Sequence, residues 1–261
     1  MAIVEEPSPV LRTPGGLVQG KVAVITGAGV GIGRTCVEVF VAEGAKVLAA
    51  DFTGQQEKTA ADLGDAVSPF QADMRSEDDI QAMIGRAVEI FGRIDVLVNV
   101  AGNPGGRRAE EVTAEEYEDL TSVHLRGTML ADKYAARAMA VTGGGAIVNF
   151  SSAASFGVDK LISPAYAASK AGINALTRMF AVQFGPRNIR VNAVAPGFTL
   201  STKNLAAPAD IRAQLEGRSA LGRGGRPEEQ AYVAAFLASD LASFVTGVVV
   251  PVDGGWTVKL A

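Results

Sequence analysis

The sequence predicts a doubly wound α/β fold, a parallel sheet of seven strands with helices on both faces, and three observations predict it. Short β-branched runs alternate with helical stretches from Lys21 to the end, which is how repeated strand–helix units read. The strands are nearly continuous apolar runs, as a sheet covered on both faces requires. The first strand leads directly through a glycine-rich turn, Gly27 to Gly33, into a helix.

Val22–Thr26 is the first strand, and the helix after it runs from about Ile32 to Glu43, ended by Gly44, a left-handed cap. Ala45–Asp51 is the second strand and Ala66–Gln71 a weaker third. Ser76–Phe91 repeats its apolar residues at helical spacing, with Ile80, Met83, Ile84, Ala87 and Val88 on one face. Ile94–Ala101 is the fourth strand. One long helix spans Ala114 to Val141, followed by the fifth strand, Ala146–Ser151. Pro164 opens a helix to Phe184 with Ile173, Leu176, Phe180 and Phe184 as its buried stripe. Arg190–Ala195, a helix at Pro227–Ser239 and Val248–Val252 complete the series.

No internal repeat or linker divides the chain, so 21–261 reads as one domain. Residues 1–20, with Glu5, Glu6, Pro7, Pro9 and Pro14, read as a flexible arm and lack the basic start and apolar stretch of a secretory signal. A net charge of −4 argues against nucleic acid and against an anionic membrane partner. No apolar run approaches the ~20 residues that cross a bilayer. Cys36 is the only cysteine, which excludes an intrachain disulfide and suits a reducing, cytoplasmic setting. One histidine and no Cys/His/Glu spacing of a zinc site argue for no metal.

In the turn, Gly27 serves the tight bend, while Gly31 and Gly33 let backbone approach a pyrophosphate and let helix pack on strand. The pyrophosphate would meet the free N–H groups at the start of the helix near Ile32. Asp51, about twenty residues on, can accept hydrogen bonds from both adenine-ribose hydroxyls and repels a 2′-phosphate. Val30 and Phe52 offer that phosphate no cation, so the reading is NAD rather than NADP.

Tyr166 and Lys170 stand at i and i+4 on one helix face. A phenol is a poor base at neutral pH, and a nearby ammonium together with the positive nicotinamide lowers its pKa. Ser151-Ser152 ends the fifth strand on the carboxyl edge, where a serine can hydrogen-bond a substrate oxygen while Tyr166 exchanges the proton.

With these marks in place, the chain from about Lys21 to Thr257 resembles the compact, single-domain branch of the short-chain dehydrogenase/reductase family. The marks are Thr26–Gly33, Asp73, Asn99-Val100-Ala101-Gly102, Ser152, Tyr166-Ala167-Ala168-Ser169-Lys170, Pro196-Gly197 and Val252-Asp253-Gly254-Gly255, in the family's order. The resemblance implies a Rossmann-type fold and an NAD-dependent alcohol dehydrogenase or ketoreductase. Ser152 would orient the substrate oxygen, Tyr166 would be the general acid/base, and Lys170 would lower its pKa and hold the nicotinamide ribose. Asp73 and Met74 would meet the adenine, Asn99, Ala101 and Gly102 the ribose side, and Pro196, Gly197 and Thr199 the carboxamide. Ser201–Leu221 resembles the family's variable substrate lid, and the last helix and strand resemble surfaces that pair subunits into homotetramers.

Two positions depart from the family's pattern. Val100 replaces the second asparagine of Asn-Asn-Ala-Gly, and His124 stands where the family has a catalytic asparagine. His124 then acts either through its main chain or as a side-chain proton relay. Three competing readings share the fold: a dehalogenating lyase without nucleotide, a non-catalytic nucleotide sensor, and an epimerase with recycled NAD. The intact glycines and Asp51, the retained Tyr166 and Lys170, and the lack of room for a second domain speak against them in turn. Leu200, Leu205, Ala206, Ala207, Pro208, Ile211 and Leu215 make the lid mixed to apolar and point to a mid-sized alicyclic or aryl secondary alcohol, with acyl-thioester, steroid and polyol substrates and the physiological direction left open. Arg107, Arg108 and Lys203 are candidate anion contacts or rim charges.

Overall fold

The computed structural model describes residues 15–103, 105–157 and 162–259, apart from the Lys203 side chain. In chain order the elements are β1 (Val22–Thr26), α1 (Gly31–Ala42), β2 (Lys46–Asp51), α2 (Gln56–Leu63), β3 (Val67–Gln71), α3 (Glu77–Phe91) and β4 (Val96–Asn99). Then follow α4 (Ala114–Thr121), α5 (Gly127–Val141), β5 (Gly145–Phe150), α6 (Pro164–Phe184), β6 (Ile189–Pro196), α7 (Thr202–Leu205), α8 (Ala209–Glu216), α9 (Pro227–Ala238) and β7 (Val249–Val252). All seven strands are parallel, in the order β3-β2-β1-β4-β5-β6-β7. The order reverses direction between β1 and β4. Carboxyl ends that diverge there leave a crevice, the usual ligand position of such sheets.

Successive strand residues alternate between two cores. Ala23, Ile25, Val47, Val96, Val98 and Val148 pack with α1 and α9, whereas Val24, Leu48, Leu97 and Ile147 pack with α3, α5 and α6. Local signals place the helix ends. Ser76 accepts the Asp79 N–H to cap α3, Gly92 closes it in the left-handed conformation, and Thr113 caps α4 through the Glu116 N–H.

The expected seven strands are present, and the differences lie in the helices. The helix α2 was not expected. Only Gln56, Thr59 and Ala60 of its eight residues are buried, too few to print an apolar period on the sequence. The single helix expected over Ala114–Val141 is interrupted at Ser122–Arg126 by a wider π turn. The buried face of α6 is polar as well as apolar. Ser169, Lys170, Asn174 and Thr177 lie inside beside Ile173, Ala181 and Phe184, while Leu176 and Phe180 are only partly covered. Val88 on α3 is exposed.

The segment ahead of β1 is docked from Gly15 onward, against the expectation of a flexible arm. Leu17 N donates to Glu43 Oε2 (2.7 Å) and Gly20 N to Gly44 O (2.9 Å), and Val18 is fully buried. Burying a valine side chain contributes ~1.5–3 kcal/mol, enough to hold so short a segment. Residues 1–14, with the three prolines, lie outside the described residues.

Candidate active site

One cavity of about 710 Å³ occupies the crevice and gathers most of the residues singled out above. Gly27, Gly31, Ile32, Gly33, Asp51, Asp73, Met74, Ala101, Gly102, His124, Ser152, Tyr166, Lys170, Pro196, Gly197 and Thr199 all line it.

At one end the glycine turn is shaped for close approach. Gly27 has φ +69°, and a Cβ there would stand 2.9 Å from Ala101 backbone. A Cβ on Gly33 would run into the Gly27 carbonyl, so only glycine lets α1 start this close to β1. Asp51 ends β2 beside this turn. Its Oδ2 accepts from Gly29 N (3.0 Å), and its Oδ1 accepts from Thr53 N (2.9 Å) and Thr53 Oγ1 (2.7 Å). These bonds aim a carboxylate at the cavity and still leave lone pairs for a vicinal diol. The cradle and this acceptor fit a dinucleotide. The structure also brings Arg75 to the cavity wall, a cation that sequence spacing missed. Its guanidinium is held by Asp73 (2.7 Å) and Asp119 (2.9 Å).

At the other end, α6 presents Tyr166 and Lys170 to the carboxyl edge of β5. Lys170 Nζ donates to Phe150 O (2.7 Å) and lies 5.7 Å from the Tyr166 ring centroid. Burial lowers the lysine pKa to about 8. Burial also raises the Tyr166 phenol above its ordinary value, and a hydrogen bond from Ser152 opposes that rise. Burial therefore favours the protonated phenol, and the lysine is tied to a main-chain carbonyl rather than to the phenol. Ser152 is oriented by accepting from Ala154 N (3.1 Å). Behind it Ser151 Oγ donates to Lys170 O (3.0 Å), and Asn174 Nδ2 donates to Ser155 Oγ (2.8 Å).

His124 sits in the π turn, buried, with its ring edge-on to Tyr166 at 5.5 Å between centroids. Its Nε2 accepts from Asn103 N (2.9 Å), which fixes the proton on Nδ1. A Cβ on Gly102 would stand 2.7 Å from Nε2, so the loop after β4 closes directly over the ring. Nδ1 has no hydrogen-bond partner among the described residues. Burial, helped by the Lys170 charge, lowers the imidazole pKa to about 3. The neutral ring is thus held by a backbone N–H of the loop after β4.

A native pKa near 3 against 6.5 unfolded means the unfolded chain binds the extra proton between those values. Stability contributed by the neutral ring is therefore present above pH 6.5 and is lost on acidification, at ~1.4 kcal/mol per pH unit across that window. His124→Asn is expected to flatten the fall in melting temperature between pH 6.5 and pH 4. The same variant leaves the pH–rate profile above pH 6.5 unchanged. A profile that loses a limb in the variant would make the side chain a relay.

Not every expected residue reaches the site. The Asn99 side chain turns into the core, where Nδ2 donates to Asp132 Oδ1 (2.8 Å) and Asn149 Oδ1 (2.9 Å), and Asn99 does not line the cavity. Of the seven lid residues only Leu215 lines it, while Leu205 and Ile211 point to solvent. Arg107 is paired with Glu116 outside the lining, and the Lys203 side chain lies outside the described residues. Asn103, Ile162, Phe198, Asn204 and Trp256 line the cavity without having been singled out, and Thr26, the first residue of the Thr26–Gly33 motif, lines it without having been given a role. Thr26, at the strand end before the glycines, was legible in principle, and its Oγ1 accepts from Ala101 N (3.1 Å). Among the described residues no group of three or more His, Cys, Asp or Glu is placed to hold a metal ion, and no helix is long and apolar enough to cross a membrane.

Comparison with known proteins agrees with this geometry. A family model described as enoyl-(acyl carrier protein) reductase matches residues 27–257. A cis-4-hydroxycyclohexanecarboxylate dehydrogenase of Sinomonas cyclohexanicum is 40% identical over 91% of this chain and 96% of its own. An NAD-dependent glycerol dehydrogenase of Listeria innocua is 36% identical over 93% and 96%. The crystal structure of a short-chain type dehydrogenase/reductase from Mycobacterium marinum superposes with a TM-score of 0.87 at 32% identity, covering 93% of this chain and 97% of that one.

Proposed function

The chain belongs to the short-chain dehydrogenase/reductase family, and from that membership we propose that it moves a hydride between NAD and a secondary alcohol or its ketone. The observation that carries the reading is the meeting of Ser152, Tyr166 and Lys170 with the glycine turn and Asp51 in one cavity. When bound, the dinucleotide supplies the hydride acceptor or donor at its nicotinamide ring. Gly27, Gly31 and Gly33 admit its pyrophosphate, Asp51 takes the ribose diol, and Pro196, Gly197 and Thr199 take the carboxamide side.

In alcohol oxidation Ser152 hydrogen-bonds the substrate oxygen and Tyr166 Oη accepts the hydroxyl proton as hydride leaves. In reduction the phenol returns it. Lys170 stabilises the phenolate when its ammonium is charged, and a positively charged nicotinamide beside it adds to that effect. Asp51 repels a 2′-phosphate, and the Asp73 and Asp119 carboxylates neutralise Arg75, the cation that would otherwise attract it.

Ile162, Phe198, Leu215 and Trp256 give the cavity apolar surface, which suits a mid-sized alicyclic or aryl alcohol. The likeness to a hydroxycyclohexanecarboxylate dehydrogenase supports the alicyclic choice. Exposed Met179 and Val182 on α6, Tyr232 and Phe236 on α9, and Phe244 and Val248 near β7 support a homotetramer. A single buried cysteine and acidic net charge support cytoplasmic work without nucleic-acid or membrane partners.

The test is a panel of cyclic, aryl, polyol, phosphorylated and thioester-linked alcohols scored by NADH or NADPH absorbance. Cyclic or aryl alcohols are expected to reduce NAD+ with kcat/KM at least ~10²-fold above NADP+, since an unpaired like charge costs several kcal/mol. Activity confined to NADP+, or to phosphorylated or thioester-linked compounds, rejects the proposal.

A further inference from the structure

We propose that Asp132 is a positioning residue of the active site, a carboxyl that locks the carboxyl ends of β4 and β5 from inside the core. The inference rests on the roles proposed above for Ser152, Tyr166 and Lys170.

Asn99 and Asn149 are register partners on the last rung that β4 and β5 share. Strand alternation turns both side chains toward α5 and α6, the face where Leu97 and Ile147 pack two rungs earlier. Asp132 on α5 meets them there, fully buried. Its Oδ1 accepts from Asn99 Nδ2 (2.8 Å) and its Oδ2 accepts from Asn149 Nδ2 (2.9 Å). Asn99 Nδ2 also donates to Asn149 Oδ1 (2.9 Å), and Asn149 Nδ2 reaches Thr177 Oγ1 on α6 at 3.4 Å. One carboxyl thus joins two strands and two helices.

A carboxyl in an apolar core is costly unless its hydrogen bonds are complete, so the network tolerates little displacement. The groups that depend on it follow at once in the chain. The residue after Asn149 is Phe150, whose carbonyl holds Lys170 Nζ. Ser151, next, bonds the Lys170 carbonyl, and Ser152 bonds Tyr166. The residues after Asn99 are Val100 and Ala101, whose N–H groups donate to Thr26 Oγ1 beside the glycine turn. Asp132 is absent from the cavity wall and acts only through these strand ends.

The network specifies its own test. Asp132→Asn turns one acceptor into a donor facing an amide donor, and Asn149→Asp sets two carboxyl groups against each other. The exchange Asp132→Asn/Asn149→Asp restores every bond. The new amide at 132 donates to the new carboxylate at 149, Asn99 Nδ2 still has both acceptors, and the Thr177 hydroxyl rotates to donate. Two readouts are taken on the NAD+-loaded enzyme. One is Tyr166 ionisation, as the tyrosinate absorbance lost in Tyr166→Phe, which needs no substrate. The other is kcat and KM with cyclohexanol.

Each single variant is expected to lower kcat about tenfold or more, to leave KM for NAD+ within about twofold, and to move the Tyr166 titration, since small misplacements of reacting groups are expensive. The exchange returns both readouts to within about twofold of the parent. Single variants with parental kcat and titration overturn the proposal, as does an exchange variant that stays inactive or unfolded. A fully active Tyr166→Phe enzyme strikes instead at the function proposed above, so the two failures separate.

Discussion

Tyr166→Phe is expected to lower turnover at least ~10²-fold at saturating NAD+ and alcohol, with NADH affinity within about twofold of the parent. The substitution removes one oxygen and keeps the ring that packs edge-on against His124. Lys170 keeps its bond to the Phe150 carbonyl, and the glycine turn and Asp51 are untouched. What disappears is the hydroxyl beside Ser152 that can pass a proton to or from a substrate oxygen. A positioned acid/base contributes ~10²–10⁴-fold, so the loss should fall on kcat and not on cofactor binding. Steady-state kinetics with an NADH titration separate the two. A variant that holds the parental kcat removes the phenol from the mechanism.

Gly33→Ala is expected to weaken NADH binding by about five- to 150-fold, the second large effect. The added methyl meets the Gly27 carbonyl, a backbone atom that cannot swing aside. Either α1 retreats from β1 or the turn distorts, and overpacking of this kind costs ~1–3 kcal/mol. Because 1.4 kcal/mol is tenfold in affinity, a strain of that size at the pyrophosphate cradle is read directly in Kd. Trp256, the only tryptophan, lines the same cavity and reports NADH by its fluorescence. Gly85→Ala on α3, where a Cβ meets nothing within 4 Å, is the matched control and should bind normally. Equal affinities in the two variants would mean that the turn does not hold the dinucleotide.

The strands, the glycine turn and the Tyr166–Lys170 pair were legible because each is a local pattern. Apolar runs mark buried strands, and a spacing of four marks one helix face. The polar layer beneath the sheet was not legible. Asn99, at the end of the fourth strand, was expected from the family resemblance to face the cofactor ribose, because nothing local says which side of a strand end an amide takes. Asp132 lies between Ala131 and Lys133 and reads as a solvated helix charge, since carboxylates are almost never fully buried unless paired. Its partners come from β4, β5 and α6, and only the topology brings them together. The lid failed for a related reason. Its apolar residues were read as a list, but α7 and α8 turn Leu205 and Ile211 outward and leave Leu215 facing in.

The widened turn at Ser122–Arg126 gives the rod formed by α4 and α5 two phases. Ahead of it Asp119 and Leu120 face the crevice, as do Val123 and His124 within it, and beyond it Leu130, Ala131 and Asp132 face the interior. An ordinary helix advances 100° per residue, so one residue fewer would rotate one half against the other by about that angle. Point substitutions along the rod therefore have neighbourhood effects, whereas loss of a single codon in the bend is felt at both ends at once.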